Sequence, residues 1–497
     1  VLNLPDDVAA ILPVQIGSGV NLVGYYMFQG GRNPRGKTET PQESTASGSY
    51  NDLPVINYDY QAPLGQDGEE RASLRRLKLY HYFLNQFGAG LAAMSLRQPA
   101  IIPNGAGDLG SLRWSVRSNG NSGYLFVNNY VRQYAMAAHP GTQFSVKFAD
   151  ETITAPNQPI TIPTGAYFIW PLNLAMADAT LAYATAQLVT AIEAYGQTVY
   201  VFAATDGIPV EFAFDPASVS NVQALAATIG TDVAGRTLVS NIAPGVDLAI
   251  RITSNSGSVS DILVLSQAQA DDLWRVSLGS TDILLLTSQQ FDLTPTGFAF
   301  TNAGSPNFSF ATFPAIKASS AAGNVQQLDI AGLFTLFAAE KRSKSISVSV
   351  TQASAPGLAP PIQIGGQAKG ALQPTQVAIT AAQGLWTVSA PWSQLADIHD
   401  VQLTIAYAGD FARLYAGTTL IDDHFYDGQP WTVGLKRLSA NNPSGAPLTL
   451  SIMPLRSDAP IYLQAGAAPA YGSNGQACAV LSATPTPVYR LEVTATA

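Results

Sequence analysis

Several things are scarce in this chain of 497 residues. It has one cysteine, Cys478, which excludes an intrachain disulfide and a zinc site built on cysteines. Its four histidines, His81, His139, His399 and His424, are scattered without metal-ligand spacing, so no metal or other cofactor is expected. Charged residues make up only 12%, and no run of lysine or arginine stands out. Nucleic acid is therefore an unsuitable partner, because phosphate binding depends on clustered cations. No apolar run reaches the length of a membrane span. The first residues, VLNLPDDVAAILPVQ, have neither a basic leader region nor an initiator methionine, which suggests numbering from inside a longer precursor.

Apolar residues, in contrast, make up 47%, enough for several buried cores, and the length suggests about three domains. The net charge of −9 suits a neutral ligand better than an anionic one.

Residues 24–38, GYYMFQGGRNPRGKT, allow two readings. Gly31 to Thr38 match the phosphate-loop pattern G-x-x-x-x-G-K-[ST]. Such a loop needs a buried strand before it and a helix directly after it. Residues 20–28 are rich in β-formers and predict the strand, but Pro41 and a polar, aperiodic stretch follow Thr38 where the helix should start. A nucleotide hydrolase is thereby set aside.

The first ninety-odd residues differ from the rest. Asp6 or Asp7 can cap a short helix over 8–12, which Pro13 and Gly17 end. Leu74, Leu77, Tyr80, Leu84 and Phe87 share one face of a helix expected over 69–87, with Glu69 and Glu70 in its first turn and Gly88 just beyond its end. Helix, strand, long loop and helix amount to the terminal βα unit of an incomplete (β/α)8 barrel or of an open α/β sheet. From about residue 96 short period-two strands alternate with Gly, Pro, Asn and Asp clusters, so the fold expected is mostly β, with several β-sandwich or jelly-roll domains. The boundaries expected are 1–95 for the barrel piece, 96–205 and 206–315 for β-domains, and 316–497 for one or more jelly rolls. Residues 181–195 are alanine-rich enough for a helix, although Val189 and Thr190 leave a strand open. Linkers are expected near 306–314 and 353–361.

Paired carboxylates would suit glycoside hydrolysis. The adjacent pairs Glu69-Glu70, Asp271-Asp272 and Asp422-Asp423 read as solvated or capping charges instead. The flanks of Cys478 favour a buried structural thiol. In NYDYQAPL, residues 57–64, tyrosine faces beside hydrogen-bonding groups suit the apolar C–H patches and hydroxyls of a pyranose. Chemistry alone leaves a second reading open, in which Tyr58 and Tyr60 pack a barrel mouth and Asp59 caps a turn.

The segments GSGVNLVGYYMFQGGRNPRGKTETPQES and YNDLPVINYDYQAPLGQDGE resemble the eighth strand and loop of family 35 glycoside hydrolases, the β-galactosidases. SGYLFVNNYVRQ, ITIPTGAYFIWPLNL and LAYATAQL resemble that family's first β-domain. DVQLTIAYAGDFARLYAGTTLIDDHFYDGQPWTVGLKRL and PLRSDAPIYL resemble its C-terminal jelly roll. The resemblance implies the C-terminal portion of a retaining exo-β-galactosidase-like enzyme acting on a galactoside. Tyr60 matches the family's galactose-contacting tyrosine, and Tyr58, Gln29, Arg32 and Asn33 complete the implied sugar-binding set. Gln29 and Arg32 stand where the family more often has His and Thr, and Gln61 where Asp is frequent. The implied acid/base and nucleophilic glutamates precede this chain, so no catalytic residue is expected in it. An upstream barrel portion, as a separate chain or cleaved fragment, would be its partner, and the chain alone would be inactive. The expected location is secreted or periplasmic. A second function class is a non-catalytic carbohydrate-binding or cell-surface β-sandwich protein.

Overall fold

The structure is a computed structural model that describes residues 3–34, 45, 48–50, 54–321, 324–365, 371–392, 395, 398–440 and 442–496. The lysine and threonine of the phosphate-loop pattern, Lys37 and Thr38, lie outside the described residues.

Two short helices open the chain, α1 (Pro5–Ala9) and α2 (Ile11–Gly17). Pro5 occupies the first turn of α1, where its missing N–H costs nothing, and Asp7 Oδ2 accepts the Leu4 amide at 2.8 Å. Pro13 was expected to stop a helix, yet it sits in the first turn of α2, where no intrahelical donor is needed.

Residues 20–28 form no strand. A parallel strand takes its hydrogen bonds from neighbouring strands. The segment gains only one isolated parallel bridge, Gln29 with Leu64, at its end. It leaves Leu22 and Tyr26 about nine-tenths exposed, at 89% and 92%.

The long helix α3 (Ala72–Ala92) starts after Glu69 and Glu70 and continues through Gly88 and Gly90. Burial of Leu74, Leu77, Tyr80, Phe83 and Leu91 on one face outweighs the poor helix propensity of glycine. Arg117 supports the C-terminal end of α3 from the neighbouring sheet. Its guanidinium is almost fully buried and donates to the carbonyls of Leu91 at 2.9 Å and Met94 at 3.2 Å.

Apart from three short helices, Gln267–Asp272, Gln376–Ala382 and Leu435–Ser439, the regular structure that remains among the described residues is β. An eight-stranded sheet runs in the order Thr228–Thr231, Thr237–Ser240, Phe212–Phe214, Ala179–Ala184, Tyr167–Met176, Ser122–Asn128, Arg113–Asn119, Ser95–Arg97. A five-stranded sheet faces it, in the order Gln187–Ala194, Gln197–Ala203, Val259–Leu265, Leu248–Ser254, Val219–Ala224. The core between them joins Phe126, Phe202, Phe212 and Ile250 to Leu77 and Phe83 of α3. The alanine-rich stretch is therefore two strands rather than a helix. Ala182, Tyr183, Leu188 and Val189 are all buried, and small residues let sheet and helix approach from both sides.

A second five-stranded sheet covers Leu273–Leu278, Thr281–Leu286, Asn307–Phe313, Phe334–Glu340 and Gln326–Ala331. A six-stranded sheet packs on it and consists of Gln290–Thr294, Gly297–Ala303, Lys317–Ser319, Asp400–Ala408, Trp431–Gly434 and the 18-residue strand Ala479–Thr496. A third five-stranded sheet, Ser349–Ser354, Gly384–Ser389, Leu448–Ile452, Phe411–Ala416 and Thr419–Phe425, covers another part of that sheet.

Strand pairing crosses two of the expected boundaries. Phe212–Phe214 pairs with Ala179–Ala184 across 205/206, and Ala479–Thr496 pairs with Gly297–Ala303 across 315/316. The expected linker at 306–314 is a buried strand, with Phe308, Phe310 and Thr312 alternating inward. No helix among the described residues is long and apolar enough to cross a membrane.

Candidate functional site

Residues 54–67 form a loop whose shape is set by two acids from a distant strand. In Thr419–Phe425 the adjacent side chains of Asp422 and Asp423 diverge, as neighbours on a strand must. Both are fully buried, against the expectation of solvated charge. Asp423 accepts the backbone amides of Ile56 at 2.8 Å and Asn57 at 3.0 Å on one oxygen, and that of Val55 on the other. Asp422 accepts Arg32 Nη2 at 3.1 Å and Gln66 Nε2 at 2.8 Å. Burial pushes Asp422 up to about 7, and Arg32 and Gln66 pull it part of the way back. Asp423 is raised for the same reason, against the pull of its three amide donors.

Arg32 also donates to the Ile421 carbonyl at 3.2 Å and to Asp67 at 3.3 Å, and Asp67 in turn pairs with Arg437 at 2.7 Å. Asp59 takes both arms of the Arg71 guanidinium at 3.0 and 2.7 Å. It also accepts the amides of Gln61 and Gln66, which closes residues 59–66 into a ring. Gly30 is required beside it, because a Cβ there would come within 2.6 Å of the Asp59 carboxyl. A two-residue ribbon, Gly31–Arg32 against Asn57–Tyr58, completes the frame.

This frame presents three tyrosines. The rings of Tyr58 and Tyr60 meet edge to face, with centroids 5.2 Å apart. The hydroxyls of Tyr26 and Tyr58 lie 3.0 Å apart. Tyr60 leans on Phe425 at 5.9 Å. Below the wall Tyr25 and His81 share a 2.8 Å hydrogen bond, and burial pushes the Tyr25 hydroxyl up to about 12 and His81 down. A cavity of about 490 Å³ opens on one side of the wall, bounded by Tyr26, Tyr58, Tyr60 and Gln61 and by Ile11 and Gln15 of α2. A second cavity of about 580 Å³ lies on the other side of Tyr60.

Of the residues named from sequence, the structure brings Tyr58 and Tyr60 together at the wall. Arg32 is directed into the ion-pair network, and Asn33 Nδ2 donates to the Val55 carbonyl at 3.2 Å. Gln29 is exposed and holds its place through backbone bridging to Leu64, bordering neither cavity. The sequence reading missed Tyr26, Phe425, Asp422 and Asp423. The one available signal was the acid pair inside the β-forming run TLIDDHF, where strand geometry turns one of two neighbours inward.

Asp59, Asp422 and Asp423 are all engaged in holding the loop, and Asp410 and Asp427 lie on the lining of the second cavity. Among the described residues no three His, Cys, Asp or Glu side chains are grouped to hold a metal ion. Cys478 is half-buried, donates weakly to the Ile452 carbonyl at 3.4 Å, and has its thiol pushed up to about 11 by burial. No protein-family model matches the chain, and no curated protein matches it significantly.

Proposed function

We propose that this chain is the C-terminal portion of a retaining β-galactosidase-like exo-glycoside hydrolase, and that it completes the sugar pocket. The observation that carries the reading is the tyrosine wall. Two perpendicular rings and a pair of hydroxyls face a cavity of about 490 Å³, within the size range of small-molecule sites. A hexose has apolar C–H faces ringed by hydroxyls, and it finds here a ring face and hydrogen-bonding edges together. The wall grows out of the segment whose letters resemble the family 35 strand and loop. Residues 20–28, which form no strand in this chain, would pair as the last barrel strand only against an upstream barrel portion, which would cover their exposed side chains Leu22 and Tyr26.

In this reading the acid/base and nucleophilic glutamates come from an upstream barrel portion, since no described carboxylate lines the cavity assigned to the sugar. Retaining hydrolysis needs two carboxyl groups about 5 Å apart across the scissile bond. The roles within the chain follow from position. Tyr60 and Tyr58 stack on the sugar, while Arg32 and Asn33 hold the loop that carries them.

The test compares hydrolysis of an aryl β-galactoside by the chain alone and by the chain mixed with the upstream portion. Activity is expected only in the mixture, and it should drop at least tenfold with Tyr60→Ala. Full activity of the isolated chain would refute the assignment of the carboxylates. Galactose binding indifferent to Tyr58→Ala and Tyr60→Ala would refute the pocket.

A further inference from the structure

The cavity behind Tyr60 is a built site that the galactose pocket does not use. Its volume is about 580 Å³. Tyr60, Phe425, Tyr426 and Tyr462 supply aromatic surface, and among the described residues Asp410 and Asp427 are the charged side chains on its lining, with no lysine or arginine. Tyr462 is 66% exposed, although an aromatic ring in water is unfavourable unless something covers it.

Asp410 is the most informative member. Its backbone is fixed on both sides, its amide donating to the Met453 carbonyl and its carbonyl accepting the Tyr426 amide, each at 2.8 Å. Its carboxyl group has no hydrogen bond or ion pair among the described residues. Burial alone acts on it and pushes it up to about 6. The acid is half-buried on the cavity lining, its backbone is held, and its acceptor oxygens are taken by no described side chain or amide, which leaves them available to a donor entering the cavity. Asp427, in contrast, accepts the Gln429 amide at 2.9 Å.

We propose that this cavity binds the further units of a neutral oligosaccharide whose terminal sugar occupies the Tyr58 pocket, with Asp410 accepting a sugar hydroxyl and Tyr462 and Phe425 stacking on pyranose faces. The proposal rests on the galactoside reading and extends it from a terminal sugar to a chain. Tyr60 borders both cavities, so a ligand crossing its ring touches both. That elongated arrangement suits a chain of rings better than a compact cation, which an aromatic cage with an acid would otherwise also attract. An anionic glycan is disfavoured by the two aspartates and by the net charge of −9.

The experiment is calorimetric titration of the full chain with galactose, with neutral β-linked oligosaccharides of increasing length in the galacto and gluco series, and with tetramethylammonium. Trisaccharides and longer chains are expected to bind roughly tenfold or more tightly than galactose. Tyr462→Ala and Asp410→Asn should each remove most of that gain, since one stacking or buried hydrogen-bonding contact is worth about a factor of three to ten. Neither should change galactose affinity. Tyr462 is mostly exposed, so its variant should fold, and Asp410→Asn keeps the side-chain volume. Equal affinity for galactose and longer chains overturns the proposal, as does a gain untouched by Tyr462→Ala, tight displacement by tetramethylammonium, or no binding at any length. Oligosaccharide binding that depends on Tyr462 but not on Tyr58 would keep the cavity as a glycan site and remove the galactose pocket.

Discussion

Replacing Asp423 tests the frame that holds the tyrosine wall. Its carboxylate accepts three consecutive backbone amides, Val55, Ile56 and Asn57, in a place where the acid is fully buried. Asp423→Ala leaves three donors without a partner. Each buried unsatisfied donor costs about 1–3 kcal/mol, and removing a buried acid returns part of that, so a net loss of about 3 kcal/mol is expected. Asp423→Asn keeps one oxygen, enough for the two amides that share it, and should cost about 1–2 kcal/mol. The loss is local to the loop, so the assay is amide hydrogen exchange at residues 55–57, with amides of the buried strand Val259–Leu265 as an internal reference. Asp423→Ala should speed exchange at the loop roughly a hundredfold and leave the reference unchanged. Exchange at 55–57 within threefold of the parent protein would refute the idea that this acid holds the loop.

Two further outcomes follow from the same structure. Asp422 has its pKa raised to about 7 by burial, whereas an unfolded aspartate titrates near 4. The folded state therefore binds the extra proton between these values, and stability falls as pH rises through that window, by on the order of 3–4 kcal/mol. Urea denaturation across the window should show this slope, and Asp422→Asn should flatten it; an unchanged slope in the variant would contradict the assignment. Gly332 and Gly417 both have left-handed backbone, at φ +56° and +58°. A Cβ at Gly332 would lie 2.2 Å from the Val246 carbonyl oxygen, while one at Gly417 would meet nothing within 4 Å. Gly417→Ala should cost about 1–2 kcal/mol and Gly332→Ala clearly more, about 3 kcal/mol or above, by thermal melting; equal losses would remove the clash as the cause.

Much of the β architecture could be read from period-two alternation, because one face of each strand is buried and the other is not. In Leu448–Ile452, for example, Leu448, Leu450 and Ile452 are all buried. Phe308 and Phe310 carried the same signal, obscured by nearby prolines and glycine that suggested a linker. The alanine-rich strands were not legible, since alanine favours helix locally and only the sheet and α3 packed around them override it. Strand order was not legible either, because pairing such as Gly297–Ala303 with Val488–Thr494 joins residues that have no local relation. At the site, the tyrosines were legible as chemistry, and the acids that hold them were not. Their partners lie more than 350 positions away in sequence.

The strand Ala479–Thr496 has a consequence for how the chain acquires its shape during synthesis. Its first half pairs with Asp400–Ala408 and its second half with Gly297–Ala303 and Lys317–Ser319. Residues 290–303 leave the ribosome long before this partner exists, and they carry the aromatic face of Phe298 and Phe300. The two N-terminal sheets and α3 can close on their own residues as they emerge, whereas the sheet that contains Gly297–Ala303 must hold an open edge until residues 479–496 are made. An aggregation-exposed edge thus persists over the synthesis of the residues that separate Gly297–Ala303 from its partner strand. A ribosome stalled before residue 479 would carry a folded N-terminal half and a sticky, unfinished C-terminal one.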